Sequence, residues 1–210
     1  MKFFKKIWLT VLAFIQDRKY CNIVVLSKEE YQAMCDGNCG THDIPLPCNI
    51  DYEHVAHSTV AVMVDTEFVP KHWTISQLTF SQTAVNRQID NRPCYVELEN
   101  LYGTIEHLLD LIAEMWYDKY PNRRLSSVSG YRNWTINRLV GGSATSDHPT
   151  GRSADITTGR ADWNRELMDM IRDNFEFDQL YAITGRNSGA FASIHVSYRI
   201  GANRNQLITV

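Results

Sequence analysis

The run from Ser129 to Asp155 constrains this chain more than any other stretch. It sets Arg132, His148 and Asp155 among Gly130, Gly141, Gly142, Gly151 and Pro149, so only short elements fit between them. Leu125–Val128 reads as a strand leading into the run. Asn133–Val140 reads as a short helix, with Trp134 and Leu139 as its buried side chains, ended by the glycine pair. Pro149 predicts an extended His148, and Gly151 a turn that other residues resist. In Ser153–Thr157, strand alternation turns Ala154 and Ile156 one way and Asp155 the other. The same alternation near the end turns Ile194, Val196 and Tyr198 inward and leaves His195 and Ser197 opposite. Asp155 and His195 are therefore expected on one polar face, with His148 delivered above it by the preceding loop. Taken singly, a strand histidine is usually a hydrogen-bonded structural residue, and an aspartate after a turn is often a cap. Jointly, two histidines and an aspartate form a ligand set for a catalytic zinc that keeps one position open.

The rest of the chain is read around that cluster. Leu98, Leu101, Ile105, Leu108, Ile112 and Met115 recur at helical steps and predict one long helix over 96–118. Glu97, Glu99, Glu106, Asp110 and Glu114 are assigned to its solvated side. Thr74–Leu78 reads as a capped helical turn and Ile89–Pro93 as a turn. Trp163, Leu167, Met170 and Ile171 mark a second amphipathic helix. Gln179–Thr184 and Ser193–Arg199 read as an antiparallel pair across the loop 185–190. The expectation is an α+β domain, a small antiparallel sheet with helices packed on one face. It occupies residues 70–210, after an N-terminal region, 1–69, of uncertain structure and unknown role.

In that first region Asn22–Leu26 and Ser58–Val64 read as strands, and Cys35–Cys48 as loop. Glu53-His54-x-x-His57 carries little weight as a metal motif. Cys21, Cys35, Cys39, Cys48 and Cys94 make an odd count. A structural zinc, a disulfide pair and buried thiols all stay open for them. Met1–Ile15 has the charged and apolar parts of a signal peptide without a suitable cleavage site. Its apolar part, Ile7–Ile15, is also shorter than the roughly 20 residues a membrane span needs. Localisation and membrane association therefore stay open. The net charge of −3 and pI near 6.1 leave no basic footprint for a nucleic-acid partner.

Three motifs together carry a family resemblance: Ser146-x-His148-x-x-Gly151-x-x-Ala154-Asp155, Ser129-Gly-Tyr-Arg132 and Asn137-Arg-x-Val-Gly-Gly142. They resemble the D-alanyl-D-alanine carboxypeptidase family of zinc peptidases, and within it the compact domains of phage murein endopeptidases. Thr83-Ala84 with Ile89–Pro93 is a looser match to the segment such domains place before their long helix. The resemblance spans roughly residues 70–200. It implies Zn2+ as cofactor, held by His148, Asp155 and His195, and a peptidoglycan stem peptide as substrate. Arg132 would pair with the substrate's carboxylate or developing oxyanion, and Ser146 would act beside a ligand or cap a turn. A D-Ala carboxypeptidase or a murein endopeptidase is implied, exported, periplasmic or phage-associated. One departure accompanies the match. Family members place an acidic residue or histidine two or three positions before the last ligand as general base; here those positions are Ser193 and Ala192. Asp147, Glu176 and Asp178 are the candidate substitutes. A catalytically impaired cell-wall-binding or virion-associated module retaining the zinc fold is the alternative reading.

Overall fold

The computed structural model describes residues 23–26, 59–62, 68–185 and 189–208. The chain divides into two units, Met1–Val69 and Pro70–Val210. In the first, β1 (Ile23–Leu26) pairs in parallel with β2 (Thr59–Val62). The expectations for Met1–Ile15, the loop Cys35–Cys48, His54, His57, Cys21, Cys35, Cys39 and Cys48 lie outside the described residues. Among the described residues no helix is long and apolar enough to cross a membrane.

The second unit is an α+β domain. It opens with α1 (Ile75–Thr79), whose N-cap Thr74 accepts from the Gln77 backbone while Gln77 bonds back to Thr74. This reciprocal capping satisfies two amides that a helix start leaves orphaned. Next come α2 (Gln82–Arg87), α3 (Tyr95–Thr104) and α4 (Asp110–Lys119). Strands β3 (Ser126–Ser129), β4 (Ser153–Thr157), β5 (Gln179–Thr184), β6 (Phe191–Ser197) and β7 (Gln206–Ile208) form one sheet in the order β3-β4-β6-β5-β7. The first three pairings are antiparallel, as expected; β7 adds a parallel edge to β5. Between them lie α5 (Trp134–Leu139) and α6 (Ala161–Asn174). α6 packs against β5 and β6.

The long helix expected over 96–118 is interrupted. Ile105–Leu109 forms a π turn between α3 and α4. Such a turn accommodates an extra residue and advances the helix phase. The inward face therefore passes from Leu98, Leu101, Ile105 and Leu108 to Leu109, Ile112, Ala113 and Trp116, leaving Met115 exposed. Two supposedly solvated carboxylates are structural. Asp110 is buried and accepts from the backbone amides of Lys71 and His72, and Glu97 accepts from the Tyr131 hydroxyl and the Cys94 amide.

One burial expectation is corrected. In α5 the buried residues are Ile136 and Asn137, while Leu139 is exposed. In α6 the inward face is Asn164, Leu167 and Ile171. Trp163 has the guanidiniums of Arg123 and Arg160 over its ring, at 3.9 and 4.6 Å. Asn164 bonds Thr157 on β4, the Thr158 amide, and the carbonyls of Phe191 and Ala192 on β6. It thereby ties the ends of two adjacent strands to one helix.

Candidate metal centre

The site starts from sheet register. β4 and β6 place Asp155 directly opposite His195, and β5 places Tyr181 opposite His195 on the other side. Ser129 on β3 pairs with Asp155. Directly paired residues in a sheet project to the same face, so Ser129, Asp155, His195 and Tyr181 form one row across four strands.

His148 reaches this row from a 3₁₀ turn, His148–Thr150, rather than from the extended conformation that Pro149 suggests. Proline's fixed φ suits the second position of such a turn as well as it suits a strand. Gly151 closes the turn at φ 73°, where a Cβ would lie 2.1 Å from the Glu97 carbonyl oxygen. The turn is clamped to α3 by Asn100 donating to Thr150 and Thr104 donating to Gly151. Helix α3 thus fixes the height of His148 over the sheet.

Ligand-capable atoms of His148, Asp155 and His195 all lie within 4.8 Å of one another, and all three residues are buried. Asp155 Oδ1 stands 2.8 Å from His195 Nδ1 and 3.2 Å from His148 Nε2. His148 Nδ1 lies 2.6 Å from the Gly130 carbonyl oxygen. A carbonyl only accepts, so Nδ1 carries the proton and a neutral ring presents a lone pair at Nε2. That lone pair faces a buried carboxylate oxygen, an opposition that a proton or a metal cation resolves. Atoms sharing a tetrahedral zinc at about 2.0–2.1 Å sit roughly 3.3 Å apart. The two separations to Asp155 Oδ1 fall within about half an ångström of that value, and with all three ligand atoms within 4.8 Å of one another the cluster is compatible with the ion.

Asp155 and His195 shift in the directions that metal binding favours. Burial works to raise the Asp155 pKa, but the facing His148 and His195 rings outweigh it and hold the carboxyl well below the usual carboxylate range. Burial pushes the His195 imidazole down, against the opposing pull of Asp155. An ionised carboxylate and a neutral imidazole are the forms in which Asp155 and His195 would bind metal.

Arg132 is half-buried, and its amide meets the His148 carbonyl at 3.4 Å. Its Nε is buried without a hydrogen-bond partner among the described residues. Burial pushes its pKa down, while Asp155 and Tyr181 act in the opposite direction. Ser146 is half-buried, and its hydroxyl accepts from the His148 amide at 3.3 Å. It caps the turn that carries a candidate ligand.

The candidate substitutes for a base are engaged elsewhere or exposed. Asp178 is fully buried and held by two bonds from Arg204, with Arg199 at 3.1 Å. Its burial works to raise the pKa, and the two arginines bring it below the ordinary value. Asp147 accepts from Arg199 at 2.8 Å, and Glu176 is exposed. Ala192 is the extra residue of a β-bulge, since Ser193 pairs with Ile183 and Phe191 with Thr184. Its carbonyl is occupied by Thr157 and Asn164.

Two participants escaped the sequence reading. The Gly130 carbonyl carries no side-chain signal. Tyr181 alternates with the buried Leu180, but its pairing with His195 depends on a register that spacing alone does not give.

The family model for peptidase M15 matches residues 71–197. The chain belongs to the peptidase M15 family. Members of that family are zinc enzymes, and the His148, Asp155 and His195 cluster is compatible with such an ion. No individually curated protein matches the chain.

Proposed function

We propose that this protein is a zinc-dependent metallopeptidase that hydrolyses peptide bonds in peptidoglycan stem peptides. The bond is either that of a terminal D-alanine or one inside the murein peptide network. The observation that carries the reading is the convergence of His148 Nε2, Asp155 Oδ1 and His195 Nδ1 at one buried corner. Family membership supports the peptidase activity.

A zinc ion held there supplies Lewis acidity, polarising a peptide carbonyl and generating a nucleophile from water. His148 contributes an Nε2 lone pair, its ring fixed by the bond to Gly130. Asp155 contributes the negative charge that retains a dication, and His195 completes the protein ligand set. Arg132 is the substrate-side cation. Its unengaged Nε belongs to a planar donor fork suited to a terminal carboxylate or to the oxyanion of the attacked carbonyl. Ser146 steadies the backbone of His148.

A second reading has its own observation. Ala192 offers no proton acceptor, and Asp147 and Asp178 are held by arginines. Positioned general bases contribute about 10²–10⁴-fold, so this arrangement supports a slow enzyme or a cell-wall-binding module that does not turn over. One experiment separates them: metal content of the purified chain, with amine release from murein sacculi before and after chelation. Release that chelation abolishes and zinc restores supports the peptidase. Zinc and murein binding without release supports the module. A chain without zinc, whose His148→Ala variant behaves identically, removes both readings.

A further inference from the structure

The two histidines of the cluster are oriented by different means. The His148 ring is fixed from behind, Nδ1–H donating to the Gly130 carbonyl at 2.6 Å. Among the described residues, the His195 ring makes its hydrogen bond through Nδ1, to Asp155 Oδ1. That nitrogen is the one facing the shared corner. If it coordinates a cation, it loses the proton of that hydrogen bond and with it the restraint.

What remains against the His195 ring is aromatic. Tyr181 lies directly across from His195 in the β5–β6 register. Its ring stacks on the imidazole, with centroids 4.4 Å apart and planes within 17°. The His148 ring meets His195 only edge-on, at 5.0 Å and 62°. A ring stacked across the imidazole face opposes tilting of its plane over the whole face, whereas the edge contact with His148 touches it only at one rim. Tyr181 is half-buried, with Ile208 of β7 paired on its other side.

We propose that Tyr181 is a positioning residue for the metal ligand His195, its stacked ring holding the imidazole plane as the Gly130 carbonyl holds that of His148. The inference rests on the metal reading of the site and adds how that site keeps its geometry once loaded. The stacked face performs the task, so phenylalanine substitutes for tyrosine, and aliphatic residues do not.

The test uses the full chain stripped of metal and titrated with Co2+, following the visible d–d bands, with Zn2+ affinity measured by competition against a chromogenic chelator. Tyr181→Phe retains the wild-type affinity and band shape. Tyr181→Ala and Tyr181→Leu bind about 10–100-fold more weakly, the range expected when a group orienting a ligand is lost, and their cobalt bands shift. Tyr181→Leu keeps a strand-compatible apolar side chain, so a general loss of folding does not mimic the result. If Co2+ binds to the wild type and both aliphatic variants match it in affinity and spectrum, the inference fails while the metal reading stands. Tyr181→Phe binding as weakly as Tyr181→Ala also overturns it, since the hydroxyl would then be the active element. A wild-type chain that takes up no cobalt overturns the metal reading and this inference together.

Discussion

The imidazole of His148 and the backbone carbonyl of Gly130 are 2.6 Å apart, and that contact decides which nitrogen of His148 is available to a metal. Because the partner is backbone, no side-chain substitution at position 130 abolishes it without moving the chain. A Cβ at Gly130 would lie 2.2 Å from the Leu78 carbonyl oxygen.

Removing His148 therefore tests the ligand set most directly. His148→Ala is expected to bind zinc more than about 100-fold more weakly, exceeding the usual effect of losing only an orienting partner. Metal analysis after dialysis, with circular dichroism as a fold control, checks this. Full zinc retention in a folded variant contradicts the assignment.

On the proposed reading Arg132 meets substrate and not metal. Arg132→Lys keeps the charge but loses the planar fork. We expect kcat/KM on a stem peptide to fall about 10²–10³-fold, the range for losing an oxyanion donor, with zinc content unchanged. A variant that loses zinc places Arg132 among the residues that build the metal corner.

Gly151→Ala strains the turn twice, through its φ of 73° and through the 2.1 Å approach to the Glu97 carbonyl. The expected loss is on the order of 2–3 kcal/mol, or roughly 5–10 °C in Tm for a domain of this size. An unchanged melting curve refutes the clamp between α3 and the ligand-bearing turn.

Alkaline stability is governed in part by Tyr102. Burial pushes its hydroxyl from 10.0 up to about 12. A pKa higher in the folded state contributes stability below pH 10 that is lost as pH rises through about 12. The contribution is on the order of 2–3 kcal/mol. Tyr102→Phe has no proton to lose there, so its Tm should gain on the wild type as pH rises from 10 towards 12. Parallel curves across that window exclude the effect.

The candidate cluster was legible because its signals are local. Alternation in Ser153–Thr157 and Ile194–Tyr198 assigned Asp155 and His195 to one face, and the β4–β6 register pairs them. What the sequence hid depends on distant or backbone partners. The π turn at Ile105–Leu109 shifts the helix phase, and periodicity cannot register one added residue until the inward side chains have packed. Asn164 looks like surface polarity on α6, yet its side-chain NH2 donates to Thr157, Phe191 and Ala192 arriving from β4 and β6. Tyr181 had no motif around it; only strand pairing brings it to His195. Proline suits both extended and 3₁₀ geometry, so the motif alone does not select between them; the bonds from Asn100 and Thr104 on α3 hold the second.

Arg199 bonds Asp147, the neighbour of His148, and also faces Asp178, to which Arg204 is anchored. A relay of alternating charge therefore runs from the chain's last strand region to the doorstep of a candidate ligand. A protein shortened after Tyr198 would keep every proposed ligand and the whole family match, yet Asp147 would be left as a buried anion with no counterion beside the metal corner. The tail beyond the recognisable domain is in this sense part of the wiring of the site.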